Sequence, residues 1–366
     1  MEYQTPQFFR LMQYAAAAER DVVELVSGGP DWNAPSAIGE GLHEFADLDG
    51  NDYQYPPSAG LADLREEIAA RRGVAIENVV VTNGAGEANS LALAAALDRD
   101  AGTEVLLTDP VYPYYPGKTQ LFGGIPRYVP VDADGSLDPT AVRERASDET
   151  AAIVVNTPNN PTGAVYGEET MAELVAIAAA HDAILVSDEV YDHFDYTGEF
   201  ASALAVDSPH RIVTNAFSKS MAITGFRVGY GVFPDELVDG VRSRHMLVNV
   251  AGSRPAQYAV LRALRGTGPE YYERNRERLV RRIDGFTDAL DDAGAEYTAP
   301  DGGFYVMARF PEFPGTMKNA ERLVDEAGVA AMPGETFGEA RADWFRFALV
   351  SPEIETAGRR LVDFFG

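Results

Sequence analysis

Residues 151–192 read AAIVVNTPNNPTGAVYGEETMAELVAIAAAHDAILVSDEVYD. Ala151–Asn156 is an unbroken apolar run, the pattern of a strand buried on both faces, and it stops at a cluster of Pro, Asn and Gly that breaks regular structure. Glu168–His181 then carries apolar residues at helical spacing, and Ala183–Ser187 is a second short apolar run that leads into Asp188. A strand, a helix and a strand in this order predict neighbouring strands of a parallel sheet with the helix packed across them.

The same alternation continues on both sides. Runs at Val79–Thr82, Glu104–Thr108, Pro126–Pro130, Arg211–Ala216 and Phe226–Phe233 bring the strand candidates to seven, with helical patterns at Leu61–Arg72, Glu87–Leu97 and Pro234–Val248. The expected fold class is α/β, with a mostly parallel seven-stranded sheet between helices. From about Gly268 the pattern changes. A long charged amphipathic stretch, Glu270–Ala293, leads to strands near Ala295–Thr298 and Phe304–Phe310, a helix around Ala320–Ala327, a strand at Trp344–Val350 and a closing helix after Pro352. This part reads as a smaller α+β domain joined by the N-terminal segment. A chain of 366 residues exceeds what one core usually serves. The division expected is 32–282 for the large domain, with 1–31 and 283–366 forming the small one.

Composition removes several classes of function. There is no cysteine, hence no disulfide or thiolate nucleophile, and the five histidines lack metal-ligand spacing, so no metal site is expected. The first 21 residues have no basic n-region or uninterrupted apolar core, and no stretch reaches the roughly 18 apolar residues of a membrane span. A cytoplasmic protein is expected. Acidic residues outnumber basic ones 57 to 30, giving −27, which disfavours nucleic acid as a partner. Lys118, Lys219 and Lys318 are the only lysines. Self-repulsion on this scale is screened at about 1 M salt, where the Debye length falls to ~3 Å, so the composition predicts a salt-rich cytoplasm.

Ligands of open α/β sheets bind beyond the carboxyl ends of the strands. Those ends carry Gly84-Ala85-Gly86-Glu87, Asp109-Pro110-Val111-Tyr112, Asn156 through Gly163, Asp188-Glu189-Val190-Tyr191 and Ser218-Lys219. Each has an ordinary alternative. Gly84–Gly86 suits a tight turn as well as an anion site at a helix start, Asp188 suits a helix N-cap, Asn159–Gly163 a turn, and Tyr112 the core. Asn89 stands where a dinucleotide fingerprint would have its third glycine. Lys219 is harder to explain as a solvated charge, because it follows an apolar strand between Ser218 and Ser220. Amine chemistry near neutrality needs its pKa lowered by burial or by cations. Arg227, placed on the next strand candidate, offers both a positive field and a fork for phosphate.

These residues carry a resemblance. From about Val26 to Phe364 the chain resembles the class I/II aminotransferases of pyridoxal 5'-phosphate (PLP) fold type I. The resemblance rests on Ser27-Gly28-Gly29-Pro30-Asp31-Trp32, Tyr55 through Arg65, Asn160-Pro161-Thr162-Gly163, Asp188 through Tyr191, Ser218-Lys219 with Gly225 through Gly229, Gly302 through Tyr305, Pro333-Gly334 with Phe337-Gly338, and Arg346, in the family's order. It implies that Lys219 forms a Schiff base with PLP, the internal aldimine, and later moves the Cα proton. It implies that Asp188 pairs with the protonated pyridine nitrogen, that Tyr191 and Asn160 bond the ring's phenolate oxygen, and that Tyr112 stacks on the ring. Ser218, Arg227 and the turn Gly84, Ala85 and Gly86 would hold the phosphate, with Tyr55 arriving from the partner of a homodimer. Arg346 would clamp the substrate α-carboxylate, assisted by Asn160 and the amide of Gly28. A cis Asn160–Pro161 bond is expected from the same likeness.

Two positions depart from the family's pattern. Ala216 and Gly86 stand where relatives usually carry hydroxyls toward the phosphate, so the cradle should lean on amides, Arg227 and Tyr55. The implied reaction is transfer of an L-amino acid's amino group to a 2-oxo acid such as 2-oxoglutarate. A C–S β-lyase is the alternative on the same fold. A nicotinamide-dependent oxidoreductase would leave Lys219, Asp188 and Arg346 unexplained, and a PLP-sensing transcription regulator would need a DNA-binding module ahead of Ser27. For the substrate side chain, Arg10, Arg20 and Arg254 are candidate cations, while Phe8, Phe9, Tyr14 and Trp32 are candidate apolar walls.

Overall fold

The computed structural model describes residues 7–366. Its main sheet has seven strands in the order Val79–Thr82, Gly229–Val232, Arg211–Ala216, Ile184–Asp188, Thr150–Asn156, Glu104–Asp109 and Ile125–Pro130. Only Gly229–Val232 runs antiparallel to its neighbours. The expected α/β class therefore holds.

Period-two alternation divides the strand side chains between two apolar layers. Val79, Val81, Ile153, Val155, Leu185 and Val213 face the helices Ala62–Arg72, Glu168–Ala180 and Arg254–Gly266. Val80, Val105, Leu107, Ala152, Val154, Val186 and Ile212 face Ala85–Leu97 and Asp235–Asn249. Both faces are covered, which is why these strands read as continuous apolar runs.

A four-stranded sheet, ordered Met332–Pro333, Phe345–Ala348, Tyr305–Arg309 and Glu296–Tyr297, packs with the N-terminal helix Gln7–Ala17 and the closing helix Ile354–Phe365. Helix Pro269–Asp292 runs past both parts. Tyr271 and Leu279 are buried beside Trp32 and Phe304, whereas Ile283, Phe286 and Leu290 belong to the core of the four-stranded sheet.

Three local expectations change. The Phe226–Phe233 strand starts at Gly229, because Thr224–Phe226 forms a 3-10 turn and Arg227 takes the left-handed conformation (φ 57°). Arg227 is thus on a turn and not on a strand. The Ala320–Ala327 helix begins at Met317 and finishes in a π turn over Leu323–Ala327. Helices Ser36–Ala46 and Tyr114–Leu121 were not marked by the pattern, the second because Pro116 and Gly117 interrupt it.

Candidate active site

The carboxyl ends of the sheet strands open into a cavity of about 460 Å³ whose walls include Lys219, Asp188, Asn160, Tyr191, Arg227 and Arg346. Most of the expected rim converges there: Gly28, Ala85, Gly86, Tyr112 and Ser218 also line it. Lys219 and Asp188 face the same space, as the reading of Lys219 requires.

Asp188 ends its strand and is buried. It caps no helix. Its Oδ2 accepts from the Tyr115 hydroxyl at 2.7 Å and from Asn89 Nδ2 at 2.6 Å, while Oδ1 takes the Val190 amide at 3.2 Å. Burial raises its pKa, and these hydrogen bonds together with the charge on Lys118 oppose the rise. A carboxylate held on two sides but given no contacting cation is suited to receive one.

Lys219 lies in the short helix Phe217–Ser220, and its Nζ donates to the Gly28 carbonyl at 2.6 Å. Burial, then Arg346 and Arg227, lower its pKa to about 8 against the pull of Asp188. Gly28 must be glycine for packing reasons, since a Cβ there would lie 1.8 Å from the Tyr305 hydroxyl.

Arg346, on the strand Phe345–Ala348, is 1% exposed. It donates through one terminal nitrogen to Asn160 Oδ1 at 3.2 Å and through the other to the Val26 carbonyl, while Nε has no partner. Aromatic faces complete its setting, with Tyr305 at 4.5 Å and Phe8 at 5.2 Å from the guanidinium carbon. Asn160 follows Asn156, whose Oδ1 accepts the Asn160 amide at 2.8 Å and whose Nδ2 bonds the Asp188 carbonyl at 2.9 Å. The Asn160–Pro161 bond is cis. Tyr191 meets Tyr305 hydroxyl to hydroxyl at 3.2 Å.

Another part of the cavity wall is built for an anion. Gly84 (φ 79°) turns the chain into the helix Ala85–Leu97, whose first amides precede any intrahelical bond. Arg227 lies across Gly84, so close that a Cβ there would meet its guanidinium at 2.5 Å, and it is anchored by the carbonyls of Thr224 (2.9 Å) and Asn83 (3.1 Å). Ala216 is buried on the same wall and brings no hydroxyl. Tyr55 is 82% exposed and does not line this chain's own cavity.

The profile of the aminotransferase class I and II family matches residues 20–359. The chain belongs to that family. Among similar proteins are the aspartate/prephenate aminotransferase of Thermus thermophilus, 36% identical over 87% of this chain and 84% of its own length, and a probable aspartate aminotransferase of Methanocaldococcus jannaschii, 33% identical over 93% and 92%. Among solved structures, aspartate aminotransferase from Thermus thermophilus with maleate superposes with a TM-score of 0.89 at 32% identity, covering 99% of this chain and 97% of that one. The aspartate aminotransferase of Thermotoga maritima gives 0.90 at 31% identity and the same coverage. The expected fold type and reaction class therefore hold: this aminotransferase uses PLP and moves an amino group between an amino acid and a 2-oxo acid.

The residues fit that cofactor. The aminotransferase cavity is lined by an anion cradle, by a buried carboxylate lacking a contacting cation, and by an amine that burial makes easier to deprotonate.

Several members of the site escaped the sequence reading. Asn89, Tyr115, Lys118 and Tyr305 all line the cavity. Asn89 is buried although it lies among the polar residues Glu87 and Ser90 of Ala85–Leu97, so the sequence pattern carried no signal for it beyond the failed fingerprint. Thr214 beneath it donates to Asn89 Oδ1 at 2.6 Å. The candidate side-chain cations fall elsewhere. Arg10 pairs with Glu321, Arg20 caps the carbonyls of Asp325 and Glu326, and Arg254 contacts Asp52 and Gln54, so none of the three enters the cavity. Phe8 and Phe9 do line it. Tyr14 bonds Asp325 at 2.7 Å and Trp32 packs on Phe194, both away from it.

Proposed function

We propose that this cavity transfers the amino group of an L-amino acid to 2-oxoglutarate, with Lys219 as the proton carrier at Cα. The observation that carries the reading is the cavity that Lys219 and Asp188 share with Arg227 and Arg346. Bound PLP supplies an electron sink for the carbanion that forms when Cα loses its proton.

The protein's part is to bind, orient and move protons. Arg346 takes the α-carboxylate through the donors that Asn160 and Val26 leave free, and its aromatic surroundings exclude water from that pair. Asn160 Oδ1 is occupied by Arg346, which leaves its Nδ2 to donate to the cofactor's phenolate oxygen beside the Tyr191 hydroxyl. Asp188, oriented by Tyr115 and Asn89, holds a proton on the pyridine nitrogen. Lys219 Nζ, its pKa lowered to about 8, removes and returns the Cα proton. Arg227, Ser218 and the amides of Ala85 and Gly86 hold the phosphate, Tyr112 covers the ring face, and the Gly28 amide assists the substrate carboxylate.

Tyr55, exposed and remote from its own cavity, serves the partner's site in a homodimer. Residues 32–282 form the cofactor-binding domain, with 1–31 and 283–366 as the second; residues 1–6 lie outside the described ones. The enzyme works in a cytoplasm rich in salt. Aspartate is the first donor to test, since relatives are named for it and a related structure holds the dicarboxylate maleate.

The test is a visible spectrum of the purified protein in high salt, with and without PLP, followed by single amino acids. PLP should give a yellow band that an amino acid bleaches and 2-oxoglutarate restores. Lys219→Ala should keep the fold and lose both the covalent band and turnover. Full turnover in that variant would end the proposal.

A further inference from the structure

Lys118 has no part in the reaction described above, yet it lines the same cavity from the helix Tyr114–Leu121. Its Nζ is anchored at the Gly86 carbonyl and at Ser90 Oγ, 2.8 Å away, beside the first turn that forms the anion cradle. Both partners are neutral, so they hold the ammonium in place without compensating it. Burial lowers its pKa to about 8, and the charges of Asp188 and Glu87, neither in contact with the ammonium, oppose that fall only in part.

Charge counting shows what is missing. The residues lining the cavity include four cations, Lys118, Lys219, Arg227 and Arg346, against one carboxylate, Asp188, in a chain whose net charge is −27. With the cofactor and an amino acid in place, Asp188 is matched by the pyridinium and Arg346 by the α-carboxylate. Lys219 is used as a neutral amine. A phosphate monoester carries about −1.5 to −2, of which Arg227 and the helix start, together about +1.5, leave up to about −0.5. Lys118 is the lining cation not assigned above, available to that remainder or to a further carboxylate.

We propose that Lys118 is an anion-binding residue of this cavity, taking an oxyanion beside Gly86 and Ser90 at the start of the helix, where Arg227 holds the preceding turn at Asn83 and Gly84. Lys118 sits at Gly86, which offers no hydroxyl of its own. The oxyanion has two sources, the cofactor phosphate and a second carboxylate on the substrate. This inference rests on the proposed function, and the experiment separates the two.

Apo-protein, Lys118→Met and Lys118→Arg are titrated with PLP, with phosphate-free pyridoxal and with inorganic phosphate; steady-state KM is then measured for aspartate and for phenylalanine. If wild type forms no yellow complex with PLP, the proposed function itself fails. If it does, a phosphate partner predicts PLP and inorganic phosphate binding about tenfold weaker in Lys118→Met, which is about 1.4 kcal/mol, with pyridoxal unchanged and Lys118→Arg near wild type. A substrate carboxylate partner predicts unchanged PLP binding and a KM raised about tenfold for aspartate but not phenylalanine. Equal weakening of PLP and pyridoxal, or no change in any ligand, overturns the assignment.

Discussion

Asn89→Leu isolates the side chain that orients Asp188. Asn89 Nδ2 donates to Asp188 Oδ2 at 2.6 Å, and its Oδ1 accepts from Thr214 Oγ1 at 2.6 Å, all within the buried interior. A hydrogen bond to a charged group contributes about 1.5–3 kcal/mol. Losing it raises the Asp188 pKa further, because burial then acts with one opposing donor fewer. Asp188 becomes a weaker holder of the pyridine proton. If the whole bond is expressed in the transition state, the amino-transfer rate falls about 10- to 150-fold. The same substitution orphans the Thr214 hydroxyl, which costs about 1–3 kcal/mol of stability. The two effects separate in the double variant Asn89→Leu with Thr214→Val, which removes both ends of the second bond and should regain most of the stability while keeping the slow transfer. The assay is the single-turnover bleaching rate at saturating amino acid, read beside thermal unfolding. A double variant that regained the rate with the stability would refute the reasoning, since Asn89 would then act only through the fold.

Other outcomes follow from the same geometry. Lys219 is neutral above about pH 8, so apo-protein should combine with PLP faster as pH rises and level off beyond that value; a midpoint near the ordinary 10.5 would contradict the burial argument. Its folded pKa lies below its unfolded one, so between about 8 and 10.5 the unfolded chain binds more protons and this group's contribution to stability grows with pH, visible as a smaller deficit in apo-protein unfolding. Arg346→Lys keeps the charge but loses the fork held by Asn160 and Val26, and kcat/KM for every α-amino acid should drop about 10- to 150-fold. Dialysis from molar to low salt should lower the unfolding temperature of a chain carrying −27; equal stability in both would remove the salt-rich cytoplasm.

The sequence by itself settled what depends on local pattern. Continuous apolar runs declared strands covered on both faces, and their carboxyl ends named Asp188, Asn160 and Lys219, because a parallel sheet delivers the ends of its strands to one rim. Side chains whose role comes from a neighbour remote in sequence were settled only by tertiary structure. Asn89 looked like a failed fingerprint glycine until folding set it against Asp188, 99 positions on. Lys118 looked like one of three scattered lysines until its helix laid it along the start of Ala85–Leu97. Arg10, Arg20 and Arg254 failed for the same reason in reverse: a charge near a site in sequence is drawn to whatever acceptor folding places nearest. Periodicity encodes burial, which each segment carries in itself, whereas the pairing of polar groups belongs to two segments at once and exists only after they have met.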